Sequence, residues 1–494
     1  MHHRRLLFAT VTILLATILS CSTSAQKNDR YSAAIEEKIK LVENNLCTGI
    51  ELVDSVNTYN LLERMKRFKV RGLSIAVVHN YKIEWARGYG MADTAAQTPV
   101  TTQTLFQAGS ISKSLNAVGV LKLVQDKKLD PFTDINAYLQ TWKFPYDTVS
   151  KGKKINTANL LSHTAGLTIH GFPGYQRDDT IPTLQQILDG QSPANTKAVR
   201  SQFEPGLRYQ YSGGGTTISQ LMVENITQQP YDSYMWENVL KPMDMTLSSY
   251  SQPPGKDKEK WLATGYTAQG KEVTKKFHLY PEQAAAGLWT NPTDLGKYII
   301  ETQLSLLGKS NKVLSQEMTM FRLTPYVDSN AALGVFITRK EKDRYFGHNG
   351  SDQGFTSVYT GSFENGNGVI VMVNSNNGTI LNEVVNSVAV VYGWKNYYTP
   401  IRKKLVAISD SLFRTFAGNY FIAADRDTLT IRKTDDGYFL TVNNRQDFKI
   451  YFTSENEFFS RQLNFEFTLE KDTKGNVKGF YFKDRAEMIS AKKL

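Results

Sequence analysis

The stretch Phe106-Gln107-Ala108-Gly109-Ser110-Ile111-Ser112-Lys113-Ser114-Leu115-Asn116-Ala117-Val118-Gly119-Val120-Leu121 decides how this chain is read. From Ser110 to Gln125 the apolar residues Ile111, Leu115, Val118, Leu121 and Leu123 or Val124 recur at helical spacing, which predicts a buried helix entered from a loop. A serine in a helix's first turn faces backbone N–H groups that lack an intrahelical partner, and a lysine three residues on lies on the same face. The Lys113 amine can therefore reach the Ser110 hydroxyl. A serine hydroxyl is a poor nucleophile at neutral pH, and lysine serves as its base only where burial or nearby cations lower the amine's pKa. Taken alone, the Ser-x-x-Lys spacing equally describes an N-cap serine followed by a solvated lysine.

Working outward, Leu73 to Val78 is apolar, His79-Asn80 is a turn, and Lys82 to Arg87 alternates around Ile83 and Trp85, which predicts a β-hairpin. Helical patterns recur at Ile181 to Leu188, opened by Pro182, and at Ile218 to Ile226. Between Leu333 and Asn374 the period becomes that of strands: Leu333 to Thr338, Phe355 to Gly361 and Val369 to Asn374. A last helix is expected over Leu381 to Tyr392. Strands at both ends of a mostly helical segment imply an α+β fold, an antiparallel sheet built from distant parts and flanked by helices. Past Trp394 the composition shifts. Six strand-like runs between Leu429 and Phe482 predict a small C-terminal all-β domain, a barrel or a sandwich. The expected division is an export signal over 1–25, an N-terminal linker over 26–50, the α+β domain over 51–398 and the β domain over 399–494.

The 494 residues are 41% hydrophobic and 21% charged, ordinary globular usage that excludes a collagenous, disordered or multi-span membrane chain. Lysine plus arginine exceed aspartate plus glutamate by 58 − 47 = 11. No basic block interleaved with aromatics tracks a phosphate backbone, so nucleic acid is not an expected partner. Arg4 and Arg5, the apolar run Leu6 to Leu19, and Ser20 to Ala25 read as an export signal, too short to span a bilayer. Two processing sites stay open. Cleavage after Ala25 gives a periplasmic or secreted protein. Ile18-Leu19-Ser20-Cys21 resembles a bacterial lipobox, with signal 1–20, and would give an outer-membrane lipoprotein whose only membrane association is the lipid on Cys21. With Cys47 the only other cysteine, a disulfide framework is excluded and core packing must hold the fold. His-x-His-x-Asp and His-Glu-x-x-His are absent, so no metal site is expected. No Gly-x-Ser-x-Gly elbow or phosphate-cradling glycine loop appears.

Two further stations accompany Ser110 and Lys113. Pro205-Gly206 leads into Tyr209-Gln210-Tyr211-Ser212-Gly213-Gly214-Gly215, and later comes Gly347-His348-Asn349-Gly350-Ser351, read as lying between strands. With these pieces the chain resembles the serine β-lactamase and penicillin-recognising family, in particular its class C β-lactamase, DD-peptidase and esterase branch. Leu160-Leu161-Ser162-His163-Thr164-Ala165-Gly166-Leu167 and Ala285-Ala286-Gly287-Leu288-Trp289-Thr290 support the match, which spans roughly Leu73 to Trp394. The resemblance implies a β-lactamase/transpeptidase-like sheet and an exported serine acyl hydrolase that needs no cofactor. Its substrate would be a small-molecule or peptide ester or amide, with cell-wall fragments among the candidates. Ser110 would be acylated, Lys113 would be its proton partner, Tyr211 the second base, and His348 would occupy the third motif. The backbone N–H groups of Ser110 and Ser351 would form the oxyanion hole, and Gly213, Asn349 and Gly350 would meet substrate.

Two departures bear on specificity. Tyr211-Ser212-Gly213 stands where many members carry Tyr-x-Asn, so the amide that contacts the lysine and the substrate's acyl-amide group is missing. His348-Asn349-Gly350 stands where Lys-Thr-Gly is common, which exchanges a permanent cation for a mostly neutral group and weakens the grip on a substrate carboxylate. The alternative from another class is a low-turnover envelope ligand-binding or sensor protein that retains the fold, a reading that Gly213 keeps open. His163 reads as structural. Trp289 and Tyr175 read equally well as cleft walls or as packing.

Overall fold

The computed structural model of the protein describes residues 31–53, 55–423, 427–443, 446–463, 465–484 and 487–494. The leader calls, Cys21 and Ala25 included, lie outside the described residues.

Gly72–His79 is apolar almost throughout because both of its faces are covered. Ala76 and Val78 point into one core, while Leu73, Ile75 and Val77 point into another. The strand turns back through Asn80 and Tyr81, whose φ values of 52° and 62° suit a two-residue hairpin turn, into Lys82–Asp93. On its other side it pairs antiparallel with Gly368–Val373. The two ends of the domain thus meet at the centre of a seven-stranded antiparallel sheet. Its order is Thr98–Pro99, Lys82–Asp93, Gly72–His79, Gly368–Val373, Phe355–Ser362, Asp343–Asp352, Phe336–Lys340. This is the α+β arrangement expected.

Helices cover both faces. Ser112–Gln125, Gly213–Thr227 and Pro292–Leu306 contribute to one core; Ala33–Asn44, Leu61–Phe68 and Thr379–Val391 contribute to the other. Ser112–Gln125 is buried from Ser112 to Leu121, on every side. A helix without a solvated face belongs in the interior, and its position inside the fold is what later removes Lys113 from water.

Several expectations are corrected. The segment read as a linker over 26–50 contains the helix Ala33–Asn44, capped by Ser32, with Ile39 and Val42 buried and Val42 O accepting from Ser387 Oγ at 2.8 Å. Its apolar residues are diluted by Glu36, Glu37, Lys38 and Lys40, so periodicity alone misses it. Ile50–Leu52 pairs in parallel with Ile401–Lys403, so the start of the expected C-terminal unit is woven back onto the N-terminal segment. The helix expected from Ile181 starts at Leu184, because Thr183 and Gln186 form a reciprocal capping box. The third motif does not lie between strands: it is the strand Asp343–Asp352, with two glycines and polar neighbours hiding its β character. Ser110 itself lies in a 3₁₀ turn, Gly109–Ile111, ahead of the α-helix.

The C-terminal unit is a closed barrel of eight strands, from Gly418–Ile422 to Glu487–Lys493. It closes where Tyr420 and Phe421 pair with Lys493 and Lys492. These first and last strands are the two that alternation did not reveal. Tyr420, Phe452, Phe458, Phe467 and Phe480 fill the interior, and Phe413 and Phe416 of the helix Asp410–Phe416 join them. Arg461, which is buried, ties the barrel to the N-terminal segment. It donates to Thr48 Oγ1 at 3.1 Å, Ile50 O at 2.9 Å, Asn57 Oδ1 at 3.1 Å and Tyr59 OH at 2.6 Å. Arg461→Ala removes the hydrogen bonds donated across this junction and is expected to destabilise it by about 3 kcal/mol. Urea unfolding followed by barrel aromatic fluorescence reads this as a lowered midpoint. An unchanged midpoint would show that the junction does not depend on it.

Candidate active site

The nucleophile turn and the third-motif strand touch backbone to backbone. Gly109 has φ +53°, and a Cβ there would lie 2.4 Å from Ser351 N. A Cβ on Gly350 would lie 1.8 Å from Ala108 O, the oxygen that also accepts from Ser357 Oγ at 3.0 Å. Only glycine allows this approach from both sides. Ser110 and Ser351 are thereby brought close together in the lining of one cleft of about 1010 Å³, which His348, Asn349, Gly350 and Tyr211 also line. Beyond Gly347 the strand pairs only with Phe355–Ser362, because Phe336–Lys340 pairs no further, so its other edge faces the cleft.

Ser110 has one base within hydrogen-bond reach. Lys113 Nζ is 3.0 Å from Ser110 Oγ and donates to Ala285 O at 2.7 Å. The Tyr211 ring centroid lies 5.0 Å from Lys113 Nζ, and Tyr211 lines the same cleft as Ser110. Residues of three motifs far apart in the chain, Ser110, Tyr211 and His348, thus line one cleft. Lys113 is 3% exposed, and burial brings its amine down to about 7, against a smaller upward pull from Asp352. With one N–H committed to Ala285, the neutral amine can turn its lone pair to the serine proton. Burial likewise holds the Tyr211 phenol well above its ordinary range, so the phenol is protonated at rest.

His348 is neutral: burial, then the field of Lys113, brings its pKa down to about 4. Its Nδ1 donates to Asn349 O at 2.6 Å, which leaves Nε2, buried without a partner, as the acceptor. His163 supports the site from behind. Its ring centroid lies 4.2 Å from that of Tyr211, and its Nδ1 accepts from Ser212 N at 3.2 Å. Trp289 and Tyr175 do not wall the cleft; they are 0% and 3% exposed, packed in the interior.

Gly213 opens the helix Gly213–Thr227, and a Cβ there would lie 2.8 Å from the Phe172 ring. The place where the family's amide would begin is occupied by an aromatic ring. Arg208 is the one permanently charged side chain among the described residues that line the cleft. Asp352, Glu282, Phe172 and Arg208 escape sequence reading, since nothing in their local spacing sets them apart. Among the described residues no cluster of His, Cys, Asp or Glu could hold a metal ion.

Gly350→Ala must drive the strand off the nucleophile turn, and a shift of about 1 Å is expected to lower Ser110 reactivity toward a fluorophosphonate about 10²-fold. Labelling within about twofold of wild type, in a variant with unchanged circular dichroism, would disprove this account of the docking.

The beta-lactamase family profile matches residues 60–386. Protein flp of Staphylococcus aureus (strain MRSA252) is 25% identical over 342 residues, covering 68% of this chain and 66% of that protein. The chain thus spans just under two thirds of that relative's length. Among solved structures, the octameric penicillin-binding protein homologue from Pyrococcus abyssi superposes with a TM-score of 0.60 at 20% identity, covering 87% of this chain and 98% of that one. The D-amino acid amidase from Ochrobactrum anthropi SV3 superposes with a TM-score of 0.55, also at 20% identity, covering 72% and 98%. A profile match from ahead of the first sheet strand to the last helix on the sheet, on a fold of this topology, places the chain in the beta-lactamase family.

Proposed function

We propose that the protein is an exported serine hydrolase that cleaves an ester or amide through an acyl-enzyme on Ser110. The observation that carries this reading is Lys113 Nζ, 3.0 Å from Ser110 Oγ in a site that holds the amine near 7. A base poised near the working pH combines the right protonation state with proton-transfer driving force. Ser110 Oγ attacks the carbonyl carbon while its proton passes to Lys113. The oxygen charge that develops is met by the N–H groups of Ser110 and Ser351, a type of donor worth roughly 3 kcal/mol when removed. Tyr211 then delivers a proton to the leaving group and recovers one from Lys113. Water, deprotonated by the same relay, releases the acyl group.

Esters are the favoured substrates. With Phe172 against Gly213, position 213 supplies no side-chain amide, and neutral His348 offers no cation to a substrate carboxylate. Export rests on the leader, with the destination either the periplasm, the outer membrane through Cys21, or the medium. The low-turnover binding alternative keeps the same geometry and differs only in deacylation.

Fluorophosphonate labelling followed by peptide mapping is expected to mark Ser110, with a rate that rises as pH passes through about 7 and levels off above it. Label on another residue defeats the assignment. Lys113→Ala and Tyr211→Phe are each expected to lower ester turnover about 10²- to 10⁴-fold with the fold intact. Wild-type turnover in either variant would exclude that residue from the relay. A panel of short-chain esters, D-amino-acid amides and a chromogenic cephalosporin tests the substrate class. A stoichiometric burst without turnover on every member selects the binding alternative.

A further inference from the structure

A second cavity, of about 620 Å³, lies between the α+β domain and the barrel and shares no lining residue with the Ser110 cleft. One wall is the end of the helix Leu61–Phe68 and the residue after it, with Arg67 and Lys69. The facing wall is the barrel, with Arg432, Thr441 and Asp447. Arg432 follows Ile431, which points into the barrel interior, so its side chain stands on the outer surface. The two walls carry like charge. Arg67 and Lys69 are exposed and, among the described residues, have no carboxylate partner. On the barrel, Arg432 Nη2 lies 2.5 Å from Asp447 Oδ2, and the other Asp447 oxygen accepts from Thr441 Oγ1 at 2.6 Å. Three cations and one carboxylate leave a net charge of 3 − 1 = +2 in the described lining. A cation in the last turn of a helix meets the negative end of the dipole, which accounts for Arg67. It does not account for a guanidinium on the opposite wall, because like charges brought together across an interface cost free energy. Elsewhere the same junction pairs opposite charges: Lys403 Nζ lies 2.9 Å from Glu466 Oε1 of the barrel.

We propose that this cavity binds a phosphate ester, held by Arg67 and Lys69 from the α+β domain and by Arg432 from the barrel. A phosphate monoester carries about two negative charges at neutral pH, which matches the excess of cations, and its outer oxygens can accept from donors on both walls at once. A carboxylate brings a single charge. The guanidinium groups suit a phosphate because their planar fork of N–H donors fits its oxygens. The cavity falls within the range of about 300–1,000 Å³ typical of small-molecule sites, so it has room for the organic part of the ester as well. A free ester and a lipid headgroup share this chemistry. Once bound, the ligand would tie the barrel to the α+β domain. No step at Ser110 passes through it, and the site stands apart from the hydrolase reading.

Isothermal titration calorimetry of the full chain at low ionic strength, with glucose 6-phosphate as the probe, is expected to show one saturable site that weakens as salt is added. Arg67→Gln and Arg432→Gln are each expected to weaken it about tenfold, the value of one charged hydrogen bond. Asp447→Asn keeps an acceptor for Thr441, frees Arg432 and removes a competing anion, so it should tighten binding by about threefold. Arg208→Gln, in the Ser110 cleft, should leave the affinity unchanged. Saturable binding of the sugar phosphate supports a free ester. Binding to phosphatidic acid vesicles alone, with the same response to the variants, supports the lipid headgroup. Absence of binding to both probes overturns the inference, as does affinity that survives Arg67→Gln and Arg432→Gln, falls in Asp447→Asn or vanishes in Arg208→Gln. Succinate binding as tightly as the sugar phosphate would overturn the choice of a phosphate. Should Arg432→Gln fail to fold, Arg67→Gln, an exposed position, decides alone.

Discussion

The site depends on the removal of one lysine from water. Lys113 is sealed in because the nucleophile helix has no exposed side and because the turn ahead of it is pressed against a strand without an intervening side chain. A change from 10.5 to about 7 corresponds to on the order of 5 kcal/mol against carrying the proton in the fold. The sign is destabilising. The unfolded chain binds this proton more tightly, so the fold bears the full cost below about pH 7 and sheds it as pH rises toward 10.5.

Desolvation rather than charge pairing sets every other titratable group around Ser110. Burial is the largest influence on Lys113, Tyr211, His163, His348 and Asp352, and it moves the bases down and the acids up. The site is therefore poor in net charge. That suits proton shuttling over short distances, where a fixed ion would hold a proton in place, and it fits a cleft whose one permanent cation among the described residues, Arg208, lies exposed at its wall. An aromatic ring packs against Gly213 and the imidazole of His348 is neutral, so neither position adds charge.

The barrel is a second solution to a common problem. Eight short strands would leave edges open to pairing with other chains, and closure removes them. Its aromatic interior needs no disulfide, and Cys47 is a buried thiol at the base of the N-terminal segment. Arg461 makes that segment, the barrel and the parallel strand pair at Ile50–Leu52 a single junction.

Much of this could be read from local pattern. The apolar spacing after Ser110 announces a buried helix, and its neighbours Tyr211 and His348 announce a shared chemistry because each sits on a short signature. The apolar run Leu73–Val78, the alternation over Lys82–Arg87 and the runs past Leu429 announce strands. What escaped was diluted or unmarked: the charged helix Ala33–Asn44, the glycine-bearing strand around His348, and the first and last strands of the barrel. By itself, the order of residues determined which groups are present and which elements carry them, since side-chain periodicity and capping act over a few residues. Only the tertiary structure decided that Lys113 is dry, that Phe172 packs against Gly213 and that Ser351 lies against Gly109. Burial and proximity are properties of surfaces meeting from distant parts of a chain, and no local spacing encodes them.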